Sequence, residues 1–322
     1  MKDGSKKPVL LTGATGFLGQ HLQRALLAQG NAVSAIVRPS SSHKDKLLSG
    51  VQIVLADLKN SGPLLAAIEA SKAVIYCAGS VRGRNLEDFS AANISGVRSV
   101  VDAINQAGAE TPLLLISSLA ASRPGISDYA NSKARGEQEV IQHARFPWTI
   151  FRPPAVYGRG DREMLPILKL ARKGIVTPAG PQKQRISLIH ADDLASAVLC
   201  WLAAWRDCRS RIFTLDDGHH HGYDWRQISE KASGGKYRSI RIPRPLLFAA
   251  ARTNLLFSSL FGYAPMLSPG KVRELIQADW LCDNEPLSQA TGWVPEIDLE
   301  SGLKETFGFR AGVKRPEPNG ND

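Results

Sequence analysis

Thr12-Gly13-Ala14-Thr15-Gly16-Phe17-Leu18-Gly19 decides the fold. A β-rich apolar run from Pro8 to Thr12 leads into it. A helical pattern with Leu18, Leu22 and Leu26 spaced four apart leaves it. Gly13 permits a tight turn, Gly16 lets a phosphate approach the backbone, and Gly19 allows the helix to close on the strand. The first helical turn then offers unpaired N–H groups and positive potential, which suit a pyrophosphate. A glycine motif alone says little. Between a strand and a helix it reads as the first unit of a dinucleotide-binding sheet.

Further strands are expected at 32–38, 51–57, 73–79, 113–118 and 148–153, each nearly continuously apolar. That pattern predicts parallel strands covered on both faces. Helical stretches, among them 91–107 and 129–144, fill the gaps. The β-α-β-α order predicts an α/β fold with a doubly wound parallel sheet of the Rossmann kind. Helices dominate after Pro154. The segment 191–205, apolar on most of its surface, is expected to pack on the sheet, with a further strand at 211–217. The dinucleotide-binding domain is therefore expected at 8–158 plus 186–217. A smaller, mostly helical substrate lobe is expected at 159–185 and 218–309, and a disordered polar tail at 310–322. The strongly apolar stretch 246–262, interrupted by Arg252 and Asn254, reads as a buried or dimer-interface helix, with peripheral membrane contact as the alternative.

Composition fits a soluble globular protein, with 43% hydrophobic and 22% charged residues in 322. No apolar run reaches the roughly 18 residues of a spanning helix, so no integral membrane segment is expected. The basic stretch Met1 to Lys7 enters the first strand with no apolar signal-type region between. Cys77, Cys200, Cys208 and Cys282 form no C-x-x-C pair and read as reduced thiols of a cytoplasmic protein. The net charge of +10 sits partly at the chain ends and between Arg159 and Arg185. An anionic cofactor or small-molecule substrate accounts for it better than nucleic acid, which is not expected as a partner. His219-His220-His221 cannot converge on one tetrahedral ion, and no Cys or carboxylate spacing accompanies them; an exposed loop and no metal site are expected. No G-x-S-x-G hydrolase elbow occurs.

A second motif is Tyr129-Ala130-Asn131-Ser132-Lys133, which puts phenol and ammonium on one helix face a single turn apart. A cation there favours the phenolate and is expected to bring the tyrosine down from about 10 toward working pH. Ser117 and Ser118 end the fifth strand, where active-site groups emerge in such sheets. The second strand ends in Arg38-Pro39-Ser40-Ser41-Ser42, with no acid for a ribose 2′-hydroxyl. A guanidinium and hydroxyls suit a 2′-phosphate, so NADP(H) is favoured over NAD(H), the alternative being a solvated surface arginine.

The spacing G-x-x-G-x-x-G followed by Y-x-x-x-K resembles the extended short-chain dehydrogenase/reductase family, over about residues 8–309. That resemblance implies hydride transfer at a carbonyl or secondary alcohol carbon. Tyr129 would be the acid/base and Lys133 its partner and ribose holder. Ser118 would sit on the substrate oxygen, with Ser117 as the runner-up. It implies that Asn93, in Ala92-Asn93-Ile94-Ser95-Gly96, supports a relay water or the lysine, unless it only packs or caps a helix. Asp57-Leu58 would meet the adenine, unless Asp57 is only a cap, and Ala78-Gly79 would lie beside the cofactor. In Phe151-Arg152-Pro153-Pro154-Ala155-Val156-Tyr157-Gly158, the backbone from Pro153 to Val156 would line the nicotinamide. His190 and Asp193, in Ile189-His190-Ala191-Asp192-Asp193-Leu194, would tie the lobes and cap the next helix. A homodimer is plausible on the same grounds.

The resemblance also bears on the substrate. Only eleven positions separate Ser118 from Tyr129, and Ser-Ser-Leu stands where sugar dehydratases place Thr-Asp-Glu. Ile186 occupies the place where sugar-nucleotide members often carry an arginine, and Arg185 sits one position earlier. Leu255, Phe257, Leu260, Phe261 and Trp280 lean toward an apolar carbonyl or hydroxyl compound, such as a hydroxysteroid-like or flavonoid-like one. Three functions are weighed: an NADP(H)-dependent reductase or dehydrogenase, a sugar-nucleotide epimerase, and a dinucleotide-binding sensor or assembly protein without turnover. Retention of Ser118, Tyr129 and Lys133 argues against the third, and the first is favoured over the second.

Overall fold

The computed structural model describes residues 7–58, 61–108 and 110–308; the expected tail lies outside them. The first half runs β1 (Val9–Thr12), α1 (Phe17–Ala28), β2 (Val33–Val37), β3 (Val51–Leu55), α2 (Ser61–Glu69), β4 (Ala73–Tyr76), α3 (Leu86–Ser90), α4 (Gly96–Ala107), β5 (Leu113–Ile116), α5 (Asp128–His143) and β6 (Trp148–Arg152). The second half adds β7 (Ala155–Tyr157), α6 (Leu165–Arg172), β8 (Ile175–Val176), β9 (Arg185–Ile186), β10 (Leu188–His190), α7 (Ala191–Ala204), β11 (Arg211–Thr214), α8 (Trp225–Ser233), β12 (Arg238–Ser239), α9 (Arg244–Phe261), α10 (Pro269–Leu275), β13 (Asp279–Trp280), α11 (Glu285–Thr291) and α12 (Leu299–Thr306).

Seven strands form one parallel sheet in the order β3-β2-β1-β4-β5-β6-β11. The chain reverses direction of travel between β1 and β4, and a crevice at the carboxyl ends of such a pair is where ligands bind. Leu22, Leu26, Val198 and Trp201, from α1 and α7, cover one face of the sheet. Leu64, Val97, Val101 and Val140, from α2, α4 and α5, cover the other. Full burial of such a side chain contributes about 1.5–3 kcal/mol. The Trp201 indole donates to Thr149 Oγ1 at 2.9 Å, so its one polar atom is satisfied. A third cluster, with Tyr157, Leu168, Tyr223 and Leu303, forms the core of the later segments.

Three expectations are corrected. The third strand is not covered on both faces: β3 is the sheet edge, and Ile53 and Leu55 are 46% and 53% exposed. The fourth strand stops at Tyr76, short of Gly79, because the N–H groups of Cys77 and Ala78 turn to Thr12 Oγ1 at 3.1 Å each. The apolar stretch 246–262 is not a buried helix. In α9 only Ala251 and Ser258 are buried, while Leu256, Leu260 and Phe261 are 68%, 76% and 74% exposed.

Asp193 does join the later segments to the sheet, by accepting the Glu296 and Ile297 N–H groups at 3.1 and 2.9 Å. His190, whose Nδ1 accepts from the Asp192 N–H, caps α7.

Candidate active site

The glycine turn has the geometry its spacing requires. Gly13 has φ +69°, and a Cβ there would stand 2.7 Å from the Ala78 nitrogen. A Cβ on Gly19 would collide with the carbonyls of Gly13 and Ala14. Gly16 is the exposed N-cap of α1 and supplies no side chain to the helix. The following N–H groups, at Phe17 and Leu18, are therefore left for a ligand. Thr15 is half-buried beside them. Arg38 is exposed at the end of β2, and Asp57 is exposed just past β3 with Leu58 half-buried after it. Pro153 already uses its carbonyl, accepting from Leu119 N–H at 2.8 Å, and Val156 sits in β7, paired with Ile189.

Ser117 and Ser118 separate cleanly. The Ser117 hydroxyl donates to Glu137 Oε1 at 2.5 Å, and Arg152 clamps the same carboxylate through Nε at 2.9 Å and Nη2 at 2.5 Å. Ser118 instead hydrogen-bonds the Tyr129 phenol, and its Oγ accepts the Ala120 N–H at 3.2 Å. Ser127 caps α5, so Tyr129 lies in the first turn and Lys133 one turn on. Lys133 Nζ donates to the Ile116 carbonyl at 3.1 Å. A Cβ on Gly79 would come within 3.2 Å of both Lys133 Nζ and Asn93 Oδ1, so Gly79, Asn93 and Lys133 do converge. Asn93 lies in a π-helical turn, Ala91–Ser95, a feature frequent at functional sites. Its side chain already makes three hydrogen bonds, however. Oδ1 accepts Ser80 N–H at 3.0 Å, and Nδ2 donates to the Ser80 carbonyl and to Ser132 Oγ, both at 2.9 Å.

Electrostatics modify the expectation for the phenol. Burial pushes Tyr129 above its usual value. The Ser118 hydrogen bond and the Lys271 ammonium oppose this, while Glu274 and Glu163 add to it. In the protein alone, burial outweighs Ser118 and Lys271, in place of the lowering expected from Lys133. Burial also brings Lys133 down to about 8, against the raising influence of Cys77 and Glu137.

No sequence motif announces the far wall. Lys271 Nζ lies 6.0 Å from the Tyr129 ring centroid and donates to Glu274 Oε2 at 2.9 Å. Glu274 Oε1 accepts from Ser127 at 2.5 Å. For Lys271, burial is outweighed by Glu274, Tyr129 and Glu163, which hold it above the ordinary lysine value. Together with Tyr129 these groups border a cavity of about 130 Å³, whose remaining wall includes Val81, Phe89, Leu255, Pro265 and Met266. These partners are more than 140 positions apart (|i−j| = 147 for Ser127 and Glu274), so no local motif could reveal them.

Other motif residues take up structural work. Arg185 is spent on Asp224 and Gln227, which form the capping box of α8. His219 stacks on Tyr223 at 4.1 Å, apart from the exposed His220 and His221. His21, unnoticed in the sequence, joins α1 to α7 through the Asp192 carboxylate and reaches the Arg159 carbonyl at 2.9 Å.

The model of the NAD dependent epimerase/dehydratase family matches residues 9–214. The chain belongs to that family. It is an NAD(P)-dependent enzyme of the extended short-chain dehydrogenase/reductase type, an oxidoreductase by its relatives. It is 35% identical to a ceramide reductase of Caulobacter vibrioides over 95% of each chain. A 2-alkyl-3-oxoalkanoate reductase of Stenotrophomonas maltophilia is 25% identical over 92% of this chain and 97% of the relative. Among solved structures, a UDP-glucose 4-epimerase superposes with TM-score 0.70 at 16% identity, covering 98% of this chain and 99% of the other. That likeness concerns the fold.

Proposed function

We propose that the protein is an NADP(H)-dependent reductase acting on a carbonyl carbon of a long-chain, ceramide-type lipid. The carrying observation is the cavity at Tyr129, whose lining combines hydroxyl, ammonium and carboxylate groups with the apolar side chains of Val81, Phe89, Leu255 and Met266. Such a lining suits an amphiphile with polar groups beside the reacting carbon. The ceramide reductase similarity, which runs the length of both chains, supports the same substrate class.

The residues fit the dinucleotide. Gly13, Thr15, Gly16, Phe17, Leu18 and Gly19 would hold the pyrophosphate, and Arg38 the 2′-phosphate. Asp57 and Leu58 would meet the adenine. Ala78, Gly79, Pro153 and Val156 would flank the nicotinamide end, with Lys133 at its ribose. NADP(H), when bound, supplies the hydride. Tyr129 gives its phenolic proton to the carbonyl oxygen as that oxygen gains charge, and Ser118 donates a hydrogen bond to the same oxygen. Hydride plus proton convert ketone to secondary alcohol. Asn93 acts one step back, fixing the Ser80 loop against α5 through Ser132. All these residues come from one chain, so the reading needs no second protomer. A cytoplasmic location belongs to the proposal and is supported by the free thiols of Cys77, Cys200, Cys208 and Cys282.

The test is NADPH consumption by the purified protein with a ketone-bearing ceramide, run beside UDP-glucose. Lipid-dependent oxidation of NADPH is expected, and Tyr129→Phe should abolish it while leaving NADPH affinity within about twofold. Interconversion of the UDP-sugar with no net NADPH oxidation would replace this reading with an epimerase.

A further inference from the structure

We propose that helix α9 and its flanking turns form a docking surface for an anionic lipid bilayer. The helix attaches to the protein along Leu247, Ala251, Asn254, Leu255 and Ser258, which are buried or half-buried and recur at helical spacing. Its opposite face carries Leu246, Ala249, Ala250, Thr253, Leu256, Phe257, Leu260 and Phe261, every one exposed. At 100° per residue these positions fall within one stripe about 140° wide that holds no charge. Phe257 and Phe261 stack on each other at 6.1 Å, and Phe257 is 50% exposed. Exposed Tyr237 and Ile240 precede the helix, and exposed Tyr263 and Met266 follow it. An outward apolar face of this extent marks an interaction site.

Charge identifies the occupant. From Lys231 to Arg273, both included, the sequence has eight Lys or Arg and no Asp or Glu. Lys236, Arg238 and Arg241 are exposed just before α9, Arg244 is exposed in its first turn, and Arg252 is exposed beside the apolar stripe. A cationic border around an aliphatic and aromatic face complements acidic headgroups over acyl chains, and such helices lie in the interface plane. No helix among the described residues is long and apolar enough to cross a membrane, which leaves α9 lying on the surface. A second copy of the chain would place two like-charged borders against each other.

The cavity gives the surface a purpose, and this clause rests on the lipid-reductase reading. Leu255, Pro265 and Met266 line the cavity and belong to α9 and the turn after it. At about 130 Å³ the cavity is smaller than the roughly 300–1,000 Å³ that enclose a drug-sized ligand. It has room for the reacting part of a lipid, and the acyl chains would stay outside it.

Co-sedimentation of the full chain with phosphatidylcholine/phosphatidylglycerol vesicles tests the docking. Binding is expected to the mixed vesicles, to be weak on phosphatidylcholine alone, and to fall at ~0.5 M NaCl. Phe257→Asp with Leu260→Asp should lower the partition at least about tenfold, and Arg241→Glu with Arg244→Glu should do so on the anionic vesicles only. Both double variants should keep the parent melting temperature and the parent rate on a short-chain, water-soluble ketone. No binding to either vesicle, or binding that both double variants retain, overturns the proposal. A dimer in sedimentation velocity that Phe257→Asp with Leu260→Asp splits also overturns it, and assigns the face to a second copy. Vesicle binding is read without turnover, so failure of the lipid-ketone assay and failure of docking are separate results.

Discussion

The Ser117 hydroxyl donates to the buried Glu137 carboxylate at 2.5 Å, and Arg152 holds the other side of that carboxylate. Ser118, one residue on, bonds the Tyr129 phenol. Adjacent strand-end serines thus take different partners, one a buried ion pair and one the Tyr129 phenol. Ser118→Ala should cut kcat/KM by about 10²-fold or more with little change in Tm, since it removes a donor to the developing oxyanion. Ser117→Ala should leave a buried carboxylate short of a donor, costing about 1–3 kcal/mol and several degrees of Tm, with kcat nearly unchanged. Steady-state kinetics and thermal melts of the two variants check this. An exchange of the two phenotypes would exchange the two roles.

Arg38 is exposed at the carboxyl end of β2. If its guanidinium meets the 2′-phosphate, Arg38→Ala should weaken NADPH binding by roughly 10–100-fold and leave NADH binding alone, in line with the strength of a charge-assisted bidentate contact. Calorimetric titration of both cofactors gives the answer. Equal affinity of the parent protein for NADPH and NADH would remove the basis for NADP(H) preference.

The fold and part of the site could be read from local sequence because both are written in local patterns. Buried parallel strands are continuous apolar runs, and a close helix–strand turn needs glycine at Gly13 and Gly19 whatever lies elsewhere. Tyr129 and Lys133 are one helical turn apart, a relation the chain itself imposes. Lys271 and Glu274 were invisible for the opposite reason. Nothing in the sequence near Tyr129 encodes a partner brought in from α10. Hydrophobicity leaves the exposure of α9 open, because it reports a preference for leaving water and does not say whether protein or another apolar phase receives the side chain. β3 was misread because an edge strand can be as apolar as a central one.

Lys133 has its pKa brought down to about 8 by burial. Near pH 8–9 a substantial fraction of the free protein therefore carries a neutral amine. An anionic dinucleotide beside it favours the ammonium and raises the pKa. Binding of NADP(H) in that range should then take up protons, by linkage, and affinity should fall as pH rises further. Calorimetry in buffers of different ionisation enthalpy measures the uptake directly. It should shrink toward zero near pH 6.5, where the amine is already protonated, and should be lost in Lys133→Met. Uptake that persists in Lys133→Met would place the titrating group elsewhere.

Asp217 offers a test of stability away from the proposed chemistry. Burial raises its carboxyl to about 6, the Tyr223 hydroxyl and the His219 N–H lower it, and the Asp216 and Asp193 carboxylates raise it further. A raised folded-state pKa means that the folded protein holds a proton the unfolded chain has released. Stability from this group is complete below the unfolded value of about 3.8 and is lost as pH climbs to about 6. Above that, the half-buried carboxylate is a constant cost. Asp217→Asn keeps an oxygen for the His219 N–H and can donate an amide hydrogen to the Tyr223 oxygen, so the present contacts at 3.1 and 2.6 Å survive in kind. The variant should gain about 1–2 kcal/mol at pH 7–8, a few degrees of Tm, and the two melting curves should converge toward pH 4. A variant that melts below the parent at every pH would mean that the ionised carboxylate is a net stabiliser, held by its two donors strongly enough to outweigh its loss of water.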